Sequence, residues 1–197
     1  MKAPVFCLLL ALVGTVSAQD RPMVAIDAGH GGEVAGVVVG ERLEKDVVLE
    51  MAFVVAAEFV AAGYDVVFTR TTDVDVPWPR RRSIAEEAGA DFLVMLHANR
   101  NDDPAVNGAE VYANTEQAHQ KAFAGMVAEK LTTVGKAELM HRPWPFLQSE
   151  TVATAMIEVA FMSNPEDARK LESRDFQRAV GQAMVDAAEF VREHGEH

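Results

Sequence analysis

Asp91-Phe92-Leu93-Val94-Met95-Leu96-His97 sets five apolar side chains in succession between an acid and a histidine. A strand with one wet face alternates in polarity. A short unbroken apolar run bounded by polar residues is what a strand buried on both faces needs. Upstream, Met23-Val24-Ala25-Ile26-Asp27 is a similar run that ends in Ala28-Gly29-His30-Gly31-Gly32, where glycines free the chain to turn. Ala155 to Val159 and Asp65 to Thr69 read as further strands, and Ala109 to Tyr112 as a weaker one. Helical composition fills the gaps: Glu44 to Ala62, closed by Gly63; Arg80 to Ala88, after the Pro77-Trp78-Pro79 loop and stopped by Gly89; Thr115 to Leu131; and Asp175 to Glu193. Ser163-Asn164-Pro165-Glu166-Asp167 is a helix start, with a cap, proline at the first position and acids in the first turn. Lys136 to Glu150, broken by Trp and Pro, takes no assignment. Strands alternating with helices predict one α/β domain: a mixed, mostly parallel sheet with helices on both faces and no repeat or linker dividing it.

The chain has 197 residues, with 30 acids against 18 Lys plus Arg, a formal charge of −12 and 24% charged residues. So acidic a chain lacks the basic face a phosphate backbone requires, which excludes nucleic acid as a partner, and so apolar a chain is not disordered. Residues 1–18 read as a secretory signal: Lys2, an apolar run from Val5 to Val16 too short to span a bilayer, and small Ala18 at the cleavage edge. An uncleaved anchor is the alternative. Cleavage would start the mature chain at Gln19, give a catalytic domain over 19–197, and imply a secreted or periplasmic protein with no stable membrane insertion. It would also remove Cys7, the one cysteine. No thiolate is then left for catalysis or metal binding, so any metal must be held by histidine and carboxylate.

In a parallel sheet the loops leaving the C-terminal strand ends gather on one rim, where the following helices begin. His30 follows the first strand, Glu44 opens the first helix, His97 ends the Phe92 strand, and Glu158 lies near the end of the Ala155 strand. Two imidazoles and a carboxylate make a usual catalytic zinc shell, and a further carboxylate off the metal can serve as general base. The spacing itself is weakly specific, because the groups come from separate elements rather than from a local pattern such as H-E-x-x-H. Glu158 is hard to dismiss as structural: an acid within Ala-Met-Ile-Glu-Val-Ala-Phe needs a cation, a proton or a metal-linked role. Glu44 sits where the helix dipole alone favours an acid, and Glu41 and Glu50 compete with it.

Four blocks together resemble a known family: Val24-Ala25-Ile26-Asp27-Ala28-Gly29-His30-Gly31-Gly32; Leu43-Glu44-Lys45-Asp46; Ala90-Asp91-Phe92-Leu93-Val94-Met95-Leu96-His97-Ala98-Asn99; and Ile157-Glu158-Val159-Ala160-Phe161-Met162-Ser163-Asn164. Their order, with Thr69 to Asp73, Arg81 to Ala85 and Gly108 to Tyr112 between them, is similar to that of the zinc-dependent N-acetylmuramoyl-L-alanine amidases of the amidase-3 type. The resemblance implies zinc held by His30, Glu44 and His97, with Glu158 as the catalytic carboxylate. It implies peptidoglycan as substrate, cut between the lactyl group of N-acetylmuramic acid and L-alanine, and a single α/β domain. Three departures stand out: Met95 where the family has Ser, Arg100 where a small or polar residue follows His-Ala-Asn, and Val152-Ala153-Thr154 where a proline is common.

Two other readings stay open at this stage, a zinc peptidase cutting within the stem peptide and a wall-binding module with a dead site. His119, His141, His194 and His197 are set aside as polar, loop or terminal residues, although His141 could orient substrate. Arg80-Arg81-Arg82 reads as a solvated helix start facing Glu86 and Glu87, with Arg81 the member that could support the site. No long insert separates Tyr112 from Met156, so an open, constitutive site is expected. The sequence names no activator or targeting protein.

Overall fold

The computed structural model describes residues 21–195; the signal-peptide reading and His197 lie outside them. The strands are β1 (Met23–Ala28), β2 (Val38–Val39), β3 (Arg42–Leu43), β4 (Asp65–Phe68), β5 (Phe92–Asn99), β6 (Ala109–Ala113), β7 (Ala137–His141) and β8 (Ala153–Phe161). The helices are α1 (Glu44–Ala61), α2 (Trp78–Ala88), α3 (Ala118–Leu131), α4 (Pro165–Leu171) and α5 (Arg174–His194), with a 3-10 turn at Pro145–Leu147. One six-stranded sheet runs in the order β4-β1-β5-β8-β6-β7. The first four are parallel, β6 is antiparallel to β8, and β7 runs parallel to β6, so the sheet is mixed and mostly parallel as expected.

The apolar runs bury both faces by alternation. Val24, Ile26, Val94, Leu96 and Ile157 face α1 and α3, and α5 packs across both of those helices. Ala25, Leu93, Met95 and Met156 face the opposite way, toward α2 and the 3-10 turn. Two boundaries differ from the sequence reading in a way that bears on function. β5 continues through His97 to Asn99, so that histidine is a strand residue. The segment 136–150, unassigned from sequence, supplies the edge strand β7 and the 3-10 turn. Helix α2 starts at Trp78, two residues early, because Pro79 is tolerated in a first turn where no backbone N–H is needed.

The exit from β1 is the least regular part of the fold. His30 has φ 59°, in the left-handed region a side chain rarely adopts, and Gly31 and Gly32 follow at 127° and 57°. Such a turn strips the carbonyls of regular partners, and buried carbonyls must find others. Arg81 Nη1 donates to Ala28 O at 2.7 Å and Nη2 to His30 O at 2.7 Å. Arg70 Nε donates to Ala28 O at 2.8 Å, and its Nη2 donates to both Gly29 O and Lys45 O at 2.8 Å. Beneath them Asp27, fully buried, accepts from Arg81 Nη1 at 2.7 Å and from the Thr69 hydroxyl. Arg80 and Arg82 do pair outward, with Glu87 and Glu86, whereas Arg81 is 2% exposed and turned inward.

Two outcomes follow for urea denaturation. Phe123→Ala, which empties a fully buried position packed on Phe92, should cost about 3–5 kcal/mol; Phe53→Ala, at a half-exposed ring, should cost under about 1 kcal/mol. Arg81→Met, which leaves the Asp27 carboxylate buried without its cation, should cost about 3–5 kcal/mol, whereas Arg80→Met should be nearly silent.

Candidate active site

The rim formed by the C-terminal ends of β1, β5 and β8 collects all four residues singled out from the sequence. Glu44, the first residue of α1, is 2% exposed and stands between two imidazoles. Its Oε1 lies 2.8 Å from His97 Nδ1 and its Oε2 lies 3.0 Å from His30 Nε2. Backbone N–H groups of Val37 and Ala98 donate to the same carboxylate at 2.8 and 3.1 Å. Burial works to raise the Glu44 pKa, but hydrogen bonds from His30 and His97, the electrostatic attraction of His97 and the Val37 amide hold it well below the usual carboxylate range. The competitors Glu41 and Glu50 form no part of this cluster.

His30, Glu44 and His97 each offer a donor atom, all within 4.8 Å of one another, so the group could hold a metal ion. Ligands about 2.1 Å from a tetrahedral centre lie about 3.4 Å apart, so the 2.8 and 3.0 Å contacts of Glu44 with the two imidazoles would have to lengthen slightly to seat an ion. His97 Nε2 is buried and has no hydrogen-bond partner. The packing leaves no spare room: a Cβ on Gly29 would strike the His97 ring, and a Cβ on Gly36, itself at φ 71°, would strike Glu44 and His30. The rings of His30 and His97 meet edge to face at 4.9 Å.

Glu158 is the cross-strand partner of His97 on one side and of Glu110 on the other. Its Oε2 is buried and unpartnered. Burial, then the charges of Glu44 and Glu110, push its pKa up to about 8. Glu110 is treated differently: Asn99 Nδ2 donates to it at 2.8 Å and the Tyr112 hydroxyl at 2.5 Å. Neighbouring carboxylates are thus sorted into two that are well supplied with donors, Glu44 and Glu110, and one, Glu158, with a buried oxygen left bare.

A cleft of about 740 Å³ opens over these groups, within the range of small-ligand sites. Trp78 lies parallel to the His97 ring at 5.5 Å, Phe146 stacks on Trp78 at 4.3 Å, and Trp144 on Phe146 at 5.5 Å. These rings form an apolar wall that sequence reasoning did not find. Their elements were read as a loop and an unassigned stretch, and only the Trp/Pro punctuation marked them. The residues set aside stay outside the cleft. His141 meets Thr115 at 2.9 Å, His119 meets Ser149 O at 2.8 Å, and His194 meets Phe190 O at 3.0 Å. No helix among the described residues is long and apolar enough to cross a membrane.

Comparison with known proteins agrees with this geometry. The family model for N-acetylmuramoyl-L-alanine amidase, of the amidase-3 type, matches residues 24–189. The amidase LytC of Bacillus subtilis is 30% identical over 83% of this chain, which spans 34% of LytC. The germination-specific N-acetylmuramoyl-L-alanine amidase of the same organism is 29% identical over 82% of this chain and 76% of its own length. The catalytic domain of CwlV, an N-acetylmuramoyl-L-alanine amidase from Bacillus (Paenibacillus) polymyxa var. colistinus, is 28% identical and superposes with a TM-score of 0.80, covering 88% of this chain and 99% of that one. With four sequence blocks meeting on one rim and a family match that runs from β1 into α5, the chain belongs to the amidase-3 family of N-acetylmuramoyl-L-alanine amidases.

Proposed function

We propose that the protein is a zinc-dependent hydrolase of peptidoglycan that cuts the amide between the lactyl carbonyl of N-acetylmuramic acid and the nitrogen of L-alanine. The observation that carries this reading is the clustering of His30, Glu44 and His97 with Glu158 beside them in one cleft. His30, Glu44 and His97 would hold the ion, a nitrogen and oxygen set suited to zinc, with a position left for water or substrate. A zinc ion there supplies two effects, activation of water near neutral pH and polarisation of the amide carbonyl.

The chain's own residues do the rest. Glu158 accepts the proton of the attacking water, then delivers it to the departing alanine nitrogen, because an amine anion leaves very poorly. Its buried, donor-free oxygen favours the protonated form that must hand over this proton. The Trp78 to Trp144 wall excludes water from one side of the reacting bond. His30, with its side chain 19% exposed, faces the cleft, in keeping with a site open to a polymer without displacement of a covering helix. Residues 1–18 as a secretory signal would deliver the enzyme to the wall outside the cytoplasm.

The deciding experiment is mass spectrometry of fragments released from peptidoglycan by the zinc-loaded protein, with a chelated control. Intact stem peptides with a free L-alanine amino end support the amidase, fragments cut within the stem support a peptidase, and no release supports a binding module. Glu158→Gln should keep stoichiometric zinc yet lose at least about a hundredfold in turbidity loss of a peptidoglycan suspension. His30→Ala and His97→Ala should lose the metal itself, read by metal analysis of dialysed protein; full zinc content in either would remove that residue from the shell.

A further inference from the structure

The cations near the cleft are nearly all committed. Arg81 and Arg70 hold the β1 exit, and Lys45 Nζ is 2.7 Å from Asp73. The Arg142 guanidinium lies 5.3 Å from the Tyr112 ring and 5.9 Å from that of Trp144. Arg100 is the exception: it lines the cleft, its side chain is 57% exposed, and among the described residues its one ion pair is a 3.8 Å contact to the fully exposed Asp102. Such a pair is worth little and is readily exchanged for another anion. Its backbone, by contrast, is fixed. The Arg100 N–H donates to Asn99 Oδ1 at 2.7 Å, and Asn99 in turn donates to Glu110. The arginine therefore stands at a defined point three residues past His97, at most about 10 Å along the chain, in a cleft whose other charged groups are carboxylates.

A free guanidinium over an acidic floor, in a chain with a net charge of −12, is placed to meet an anion on the ligand. Resting on the amidase reading above, we propose that Arg100 is a specificity-determining residue that binds the free α-carboxylate of the second stem residue. That residue, a glutamate joined onward through its side-chain carboxyl, comes one peptide unit after the alanine at the cut. The sugar side of the bond offers no comparable charge. Stems in which this carboxyl is amidated lose the partner and become poorer substrates.

The test uses two synthetic muramoyl tripeptides identical but for that carboxyl, free or amidated, each with parent, Arg100→Gln and Arg100→Lys proteins loaded with zinc. The parent is expected to favour the free acid by about tenfold in kcat/KM, carried in KM. The ratio should fall to near one in Arg100→Gln and recover in part in Arg100→Lys. Calorimetric titration of the released free-acid peptide into the same proteins should give the same order of affinities. A parent indifferent to amidation, or an Arg100→Gln variant that keeps the preference, overturns the inference while leaving the amidase reading intact. If the parent cuts neither tripeptide and releases no stems from whole peptidoglycan, the amidase reading falls and Arg100 with it. Stems released from the polymer without either tripeptide being cut or its product bound would overturn the role of Arg100 alone.

Discussion

Everything at the active rim depends on the carbonyls of Ala28, Gly29 and His30 having somewhere to go. A left-handed turn at a histidine is unfavourable in isolation by about 1–2 kcal/mol, and it leaves backbone acceptors that no sheet or helix can satisfy. Two guanidinium groups resolve this by presenting fixed forks of donors, which a lysine could not do. Arg70 reaches Gly29 O and Lys45 O together, so it ties the loop bearing His30 to the helix turn bearing Glu44. Asp27 fixes Arg81 from below. The two segments that bring His30 and Glu44 together are therefore joined by hydrogen bonds of their own.

That preorganisation explains how so many acids are tolerated in one place. Glu158 and Glu110 are directly opposed across β8 and β6, a pairing of like groups that destabilises a sheet when both are charged. Distribution of donors removes the conflict. Asn99 and Tyr112 satisfy Glu110, the imidazoles and two amides satisfy Glu44, and Glu158 is left with a buried bare oxygen. When environments drive neighbouring carboxyls in opposite directions, their duties separate: one set binds and orients, the other exchanges protons.

Much of this was legible in the chain. The runs at Val24 and Phe92 identified central strands because residues buried on both faces cannot alternate, and parallel topology then brought His30, Glu44, His97 and Glu158 to a single rim. The rule that made Glu158 conspicuous, an acid inside an apolar strand, applies equally to Asp27; applied there, it asks for a buried cation, and Arg81 supplies it. β7 was not legible. Ala137-Glu138-Leu139-Met140-His141 lies at the sheet edge and is only partly buried, so its alternation is faint and its identity comes from pairing with β6. Trp144 and Phe146 were hidden for a related reason: Phe146 stacks on Trp78, a partner more than sixty residues away that no local pattern announces, and Trp144 stacks on Phe146 in turn.

The aromatic wall and the acidic floor also constrain each other. Trp78 lies within 13° of parallel to the His97 ring, and so holds that imidazole's orientation by packing while removing water from that side. Drying the site strengthens every charge within it, which is useful only where each charge has a counterpart. For Glu44 the counterparts are donors from this chain; for Glu158 burial favours a proton. Burial is the main force holding Glu158 toward its protonated form, and the charges of Glu44 and Glu110 add to it, so a cation in the His30, Glu44 and His97 cluster would act against only the smaller, electrostatic part of that shift.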